Sequence, residues 1–385
     1  MQQSDLIHLS INDMELAQLG VGLLILFAIT AVVQYIYLLF QLSLTGFKET
    51  TNPTGESQPV SVLICARNEL KNLRVFLPSV LEQDYPVFQV VVVNDCSWDE
   101  SGKYLEEMSD AYPNLKVVTL KEQEKYPHGK KLALTLGIKG ADHELLLMTD
   151  ADCVPASKTW IKEMMAHFKP GKEIVIGYGA YAKESGLLNK WIRFDTIYNA
   201  LFFLGRAING RAYMGVGRNL AYRKSLFFAN KGFASHYHII SGDDDLFVNE
   251  TANQTNTSVC LSSTAFTYSK PKSTWTSWLH QKRRHMSTGV FYKGSDQRYL
   301  GAYFVTHTFF YLLTIILLIL KLYPEVVVSM FTIRLIIQMI VFGKGMQKLK
   351  ENDLIWLTPV FDLFTAFSYP VLSVSSLVFK TKTWK

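Results

Sequence analysis

Cysteine is scarce in this chain, with four among 385 residues. Cys65, Cys96, Cys153 and Cys260 lie far apart, so neither a disulfide framework nor a thiolate metal site with ligand spacing is written here. We expect small buried side chains at strand ends. The start of the chain carries no basic residue ahead of its first apolar run and has no small-residue cleavage site. That run is therefore expected to be a retained anchor rather than a secretory leader. Internal repeats and low-complexity tracts are absent, which excludes solenoids and long disordered linkers. Basic residues exceed acidic ones by only six. An excess so small and scattered gives no footprint for nucleic acid, although it suits a domain lying against an anionic leaflet.

Charge is also missing from both ends. The stretch "GVGLLILFAITAVVQYIYLLFQLSL", from Gly20 to Leu44, is long enough to span hydrocarbon. A second span is expected from about Leu300 to Leu322. A third, shorter one runs from Val326 to Phe342 and contains Arg334, which should face protein or snorkel. Ile355–Phe379 is apolar but holds Pro359, Asp362 and Pro370. The positive-inside rule places residues 1–19 outside, the central block inside, and the basic loop after Gly343 back inside. A full crossing by the last stretch would leave the basic tail "KTKTWK" outside. A bent or re-entrant hairpin is therefore the preferred reading, with Arg334 and Asp362 pairing in the membrane. The expected organisation is an extracytoplasmic segment 1–19, an anchor 20–44, a cytoplasmic domain 55–294 and a membrane region 299–380. The chain is then an integral membrane protein, taken to sit in a bacterial inner membrane.

Within residues 59–179, apolar runs alternate with helical patterns. "PVSVLICA", "FQVVVVND", "LKVVTL", "HELLLMTDAD" and "EIVIGYG" read as strands. Amphipathic segments between them read as helices. Continuous apolar strands separated by helices predict an α/β fold with a mostly parallel, Rossmann-like sheet covered on both faces. Ligands on such sheets bind beyond the carboxyl ends of the strands. Three strands finish there in polar residues: Arg67 to Glu69, Asn94 with Asp95, and Asp150 with Asp152. Farther on, "LLNKWIRFDTIYNALFFLGR" has helical spacing and would pack on the sheet or lie in the membrane interface.

Each acidic or basic motif admits two readings. Asp150-Ala151-Asp152 suits Mg²⁺ or Mn²⁺ shared with substrate phosphates, or else a strand-end turn with a helix cap. Asp95 could accept from the N3–H of uracil, whereas Asp99 reads as a cap. Three consecutive carboxylates, Asp243 to Asp245, would repel one another and raise a pKa, as a general base requires; a solvated helix start has the same composition. In "TWTSWLHQKRRH", Trp275, Trp278, Gln281 and Arg284 share one helical face. Lys282 and Arg283 read as a basic membrane flank, and Gln281 with Arg284 as donors to a diphosphate.

In this order, "ARNE" at Ala66, "VVNDCSWD" at Val92, "HGKKLALTLGI" at His128, "TDADCVP" at Thr149, "GDDD" at Gly242 and "QKRRH" at Gln281 resemble the membrane glycosyltransferases of family 2. That family includes cellulose, hyaluronan and chitin synthases and ceramide glucosyltransferase. The resemblance implies a GT-A fold and a nucleotide-sugar donor, a UDP-sugar, with transfer that inverts the anomeric centre. Ala66, Arg67, Glu69, Asn94, Asp95, Lys130, Asp150 and Ala151 would then surround the nucleotide, Asp95 holding uracil and Asp150 the ribose. Asp152 would hold the metal with Asp150. Asp244 would be the general base, with Asp245 the next choice. Gln281 and Arg284 match the family's Q-x-x-R-W, whose tryptophan is His285 here, weakening the case for a long-chain polymerase. The expected acceptor is a membrane lipid or a lipid-linked glycan. Competing readings are a polysaccharide synthase of the same family and a haloacid-dehalogenase-like phosphatase using Asp150 as nucleophile. A non-catalytic scaffold with a degenerate site is a further one, against which the intact acids stand.

Overall fold

In the computed structural model, residues 2–47, 57–121 and 129–378 are described. His128, Lys48 and the tail 379–385 fall outside them, so the expectations placed on those residues have no structural counterpart. Ten strands are seen: β1 Val60–Ala66, β2 Phe88–Asp95, β3 Leu115–Leu120, β4 Leu145–Met148, β5 Cys153–Pro155, β6 Ile174–Gly177, β7 Gly179–Tyr181, β8 Leu220–Arg223, β9 Thr257–Cys260 and β10 Thr267–Ser269. Helices are α1 Gln2–Gly46, α2 Leu70–Leu81, α3 Ser101–Ala111, α4 Lys130–Gly140, α5 Trp160–Met165 and α6 Leu187–Ile208. They continue with α7 Lys224–Ala229, α8 Asp245–Thr251, α9 Trp275–Met286, α10 Gly294–Ile319, α11 Pro324–Lys348 and α12 Thr358–Val378.

Seven strands form the main sheet in the order β3-β2-β1-β4-β8-β6-β9. All pairings are parallel except those of β8, which runs against both β4 and β6. The period-2 alternation divides the apolar strands between two cores. Val62, Ile64, Val90 and Val92 pack with Leu73, Leu77 and Leu105 of α2 and α3. Leu63, Val91 and Val93 pack with Leu134 and Ile138 of α4 and with the aromatic face of α6. Both faces are thus covered, as continuous apolar strands require.

Two expected strands differ in detail. The fourth ends at Met148, which leaves Asp150 and Asp152 in the turn beyond the sheet. The fifth divides at Tyr178: β6 stays in the main sheet, while β7 joins β5 and β10 in a small second sheet. That division opens a gap over the ends of β1 and β4.

Helix α6 takes the first of the two roles expected of its sequence. It packs on the sheet, and its aromatics also meet the apolar helices: Trp191 with Phe361, Phe194 with Phe342 and Phe202 with Tyr303. Four helices are long and apolar enough to cross a membrane, over Gln18–Leu44, Gly294–Ile319, Pro324–Lys348 and Asn352–Ser376. Ile29, Ile36, Ile319, Ile336 and Val371 are among the large side chains they expose, an apolar belt suited to lipid. The re-entrant hairpin is not what forms. Thr358–Val378 is one uninterrupted helix with Pro370 inside it. Its one carboxylate needs no escape to water, because Asp362 meets Arg334 at 2.9 Å and His307 at 3.1 Å. The Arg334–Asp362 pairing is as the sequence suggested.

Candidate active site

The gap above β4 is walled by three segments. First comes the turn after β4, with Asp150 and Asp152. Second is the loop before α8, with Asp243 and Asp244. Third is α9, which begins where Thr274 accepts the backbone N–H of Ser277 (3.2 Å) and carries Gln281 and Arg284. Lys130 stands between the first two. It opens α4 just after Gly129, and its Nζ lies 2.9 Å from Asp150 Oδ1 and 3.0 Å from Asp243 Oδ2. Burial alone would discharge this ammonium. The three carboxylates Asp150, Asp243 and Asp244 outweigh it and hold its pKa well above the ordinary lysine value.

The three consecutive aspartates have separate fates. Burial would raise Asp243, but its contact with Lys130 wins and its carboxyl sits below the usual range. Asp245 turns inward, accepting from Thr288 and Tyr292 (2.8 Å) and from the Leu246 N–H (2.8 Å), and is 7% exposed. It anchors the start of α8. Asp244 remains. Its two oxygens accept the N–H groups of Gly217 (2.7 Å) and Asp245 (2.8 Å), which fixes its direction. Burial, followed by the charges of Asp243 and Asp245, raises its pKa to about 7. A positioned carboxyl titrating near neutrality is what general-base chemistry needs.

Asp150, Asp152 and Cys153 bring one ligand atom each within 4.8 Å of one another. The Cys153 thiol shares a hydrogen with Ser269 Oγ (2.9 Å), and burial pushes its pKa far up, so it stays protonated. The two carboxylates are left as oxygen donors for a hard divalent cation. Asp152 is raised by burial and then by Asp150, a balance that Arg218 and Lys272 only partly offset and that a cation would relieve further. Arg218 supplies positive charge nearby. Its Nη1 donates to Ala180 O and Ser269 Oγ (both 3.2 Å), and its guanidinium lies 4.2 Å over the Tyr181 ring. The residues present fit a cation carrying a diphosphate.

These side chains share one cavity of about 780 Å³. Lys130, Asp150, Asp152, Asp243, Asp244, Asp245, Gln281 and Arg284 all line it. Gln281 Nε2 is 3.4 Å from Tyr181 OH, and Arg284 Nη1 is 3.5 Å from Ser241 Oγ. The cavity continues past Trp278 and Phe202 to Val305, Phe309 and Val374 on the apolar helices α10 and α12. Those last three are 56%, 45% and 62% exposed. Its far end therefore opens sideways, through the belt, between α10 and α12.

Other expected residues are placed differently. Ala66, Arg67, Glu69, Asn94, Asp95 and Ala151 are not on the cavity wall. Asp95 is fully buried at the end of β2, so contact with a nucleobase needs local opening. Arg67 lies 5.7 Å over the exposed Trp98 ring. Asp99 caps as expected, accepting from Leu70 N (3.2 Å) and Ser101 N (3.0 Å). Lys282 is no solvated flank. Its Nζ is buried against both oxygens of Asp195 (2.8 and 2.9 Å) and against Tyr369 OH (2.8 Å), which ties α9 to α6 and α12. Arg218 and Lys131 escaped the sequence reading. Lys131 donates to His236 O (2.6 Å) and Ile239 O (2.9 Å), pinning the loop that carries Ser241. The doubled lysine after Gly129 was the available signal, whereas nothing in the order of residues marks Arg218.

Residues 61–228 match the family model described as Glycosyl transferase family 2. The chain carries a family 2 glycosyltransferase domain. The phosphatase reading falls away with that match. The probable glycosyltransferase YdaM of Bacillus subtilis is 27% identical over 263 residues, 64% of this chain and 58% of that relative. An uncharacterized glycosyltransferase of Haemophilus influenzae is 26% identical over 144 residues, 36% of this chain and 43% of the relative. The chain thus spans about half the length of these curated relatives. In fold, the glycosyltransferase domain and its helices resemble the mannosyltransferase PcManGT from Pyrobaculum calidifontis, solved with GDP-Man and Mn²⁺. The TM-score is 0.53 at 16% identity, over 90% of this chain and 98% of that one. At that identity the likeness establishes the GT-A fold and no more.

Proposed function

We propose that this protein transfers a sugar from a UDP-sugar to a hydroxyl of a membrane lipid or lipid-linked glycan, with inversion, at the cytoplasmic membrane face. The observation that carries the reading is the single cavity joining Asp150, Asp152 and Asp244 to a lateral opening between α10 and α12. A water-soluble donor and a membrane-held acceptor can meet only in such a space. Asp150 and Asp152 would hold Mg²⁺ or Mn²⁺, which when bound supplies positive charge to the donor diphosphate. Arg218 and Arg284 line the same wall and stabilise the diphosphate as charge grows on it. Asp244 takes the acceptor hydroxyl proton on a carboxylate oxygen. The hydroxyl oxygen bonds to the anomeric carbon while the bond to the diphosphate breaks, and the nucleoside diphosphate leaves. Lys130 keeps Asp243 ionised and holds Asp150 in place. Trp278, edge-on to Trp191 at 5.7 Å, offers an apolar wall to the acceptor.

The test is purified full-length protein in detergent with a panel of UDP- and GDP-sugars and hydroxyl-bearing lipids. Nucleoside diphosphate release is scored with and without Mn²⁺. Release confined to a UDP-sugar plus a lipid, and abolished by a chelator, is expected. No release with any donor would sink the reading, and a preference for GDP-sugars would overturn its nucleobase.

A further inference from the structure

A second recess lies outside the transfer cavity, where the last turn of α6 meets the first turns of α10. Arg206, Arg211, Lys293 and Arg298 line it with Asp296 and Tyr299, around a volume of about 670 Å³. Four cations face a single carboxylate, and that carboxylate is spent: Asp296 accepts from Arg206 Nη2 (2.5 Å) and Asn249 Nδ2 (3.0 Å) and is 5% exposed. Arg206 is further held by Arg211 O (3.1 Å) and by stacking 4.1 Å from Tyr299. The side chains of Arg211 and Arg298 are exposed and make no hydrogen bond or ion pair among the described residues. The opposite wall is tight. Gly210, at φ +68°, approaches Gln254 O so closely that a Cβ would lie 2.7 Å from it.

Depth is set by the neighbours. Tyr37 OH donates to Tyr299 O (2.7 Å) and Ser43 Oγ to Gly205 O (3.4 Å). Both partners belong to the last turns of the Gln18–Leu44 apolar span. The recess therefore sits level with the point where α1 leaves the apolar belt. Cations poised at that level attract anionic headgroups, and guanidinium forks match phosphate oxygens.

We propose that this recess binds the phosphate of an anionic glycerophospholipid, with Arg211 and Arg298 as its open donors and Arg206 as the fixed base. This site is separate from sugar transfer and does not depend on it. The test uses the full chain in nanodiscs of phosphatidylcholine and phosphatidylglycerol, with retained lipid counted by native mass spectrometry. Wild type is expected to retain phosphatidylglycerol. The Arg211→Gln/Arg298→Gln variant should retain at least about tenfold less, since each basic side chain near such a surface contributes measurably. Lys158→Gln, on the far side of the domain, should match wild type. Should the double variant melt early, Arg298→Gln alone serves. Equal retention by variant and wild type overturns the site. Release of the lipid by excess sn-glycerol 3-phosphate also overturns it, because the recess would then recognise a soluble phosphoester.

Discussion

Two of the buried charge clusters in this molecule are built to opposite rules. Among the apolar helices, Asp362 is matched by Arg334 (2.9 Å) and His307 (3.1 Å) and accepts from Tyr311 OH (2.7 Å). Arg334 also donates to Gln338 (3.2 Å) and Gln34 (3.3 Å), so four helices are clasped. The Asp362 carboxylate is paired with a cation from within the chain. Above β4, Lys130 alone contacts Asp150 and Asp243, while Asp152 and Asp244 stay raised by burial and like charge. Saturation gives a brace. Deficit gives a site that is completed only when a cation and a proton acceptor's partner arrive. Both clusters join aspartate to a basic side chain, and the balance of charge separates them.

Five substitutions sharpen that contrast. The largest effect is expected at the deficit cluster: Asp244→Asn should lower transfer by roughly 10²–10⁴-fold while nucleotide binding, measured by titration calorimetry, persists. Normal transfer would move the base elsewhere. The rate should also fall as pH drops through about 7, because the working form of Asp244 is ionised. Stability has the opposite sign. Between the ordinary carboxyl value of 3.8 and about 7, the folded state holds a proton that the unfolded chain has lost. Asp244 therefore costs stability increasingly as pH rises through that window. Asp244→Asn should melt higher than wild type above pH 7, with the gap closing in acid, as thermal scans across pH would reveal.

Next comes the saturated cluster. Arg334→Met leaves Asp362 without its cation and should cost about 3–5 kcal/mol. Adding Asp362→Asn should recover much of it, and a double variant no better than the single would mean that the brace is not an ion pair. Lys130→Met should fall between the two in character, losing both thermal stability and transfer. At the small end, Lys158 and Glu82 are 3.9 Å apart and well exposed, so Lys158→Ala should leave the melting temperature unchanged.

Much of the architecture can be read directly from residue order. Apolar alternation gives the strands, and composition alone marks three of the four long apolar helices. The fourth is misread because Pro370 and Asp362 look like breaks. A proline is tolerated inside α12, and Asp362 is paired with Arg334, 28 positions away, with His307, 55 positions away, beside it at 3.1 Å. The acids that meet in the cavity were legible as a set, since carboxylates clustered at strand ends have few bland reasons to be there. Asp95 was legible as an acid but not as a sealed one.

What residue order determines here is local: periodicity makes a parallel α/β core, and apolar length makes the flanking helices. The separate surroundings of three neighbouring aspartates are made by distant groups, Lys130 claiming Asp243 and Thr288 with Tyr292 claiming Asp245. The reach of the cavity into the belt and the presence of Arg218 at its wall were likewise settled only by folding. Burial and partner geometry set the chemistry of a charged side chain, and both are properties of contacts between residues far apart in the chain.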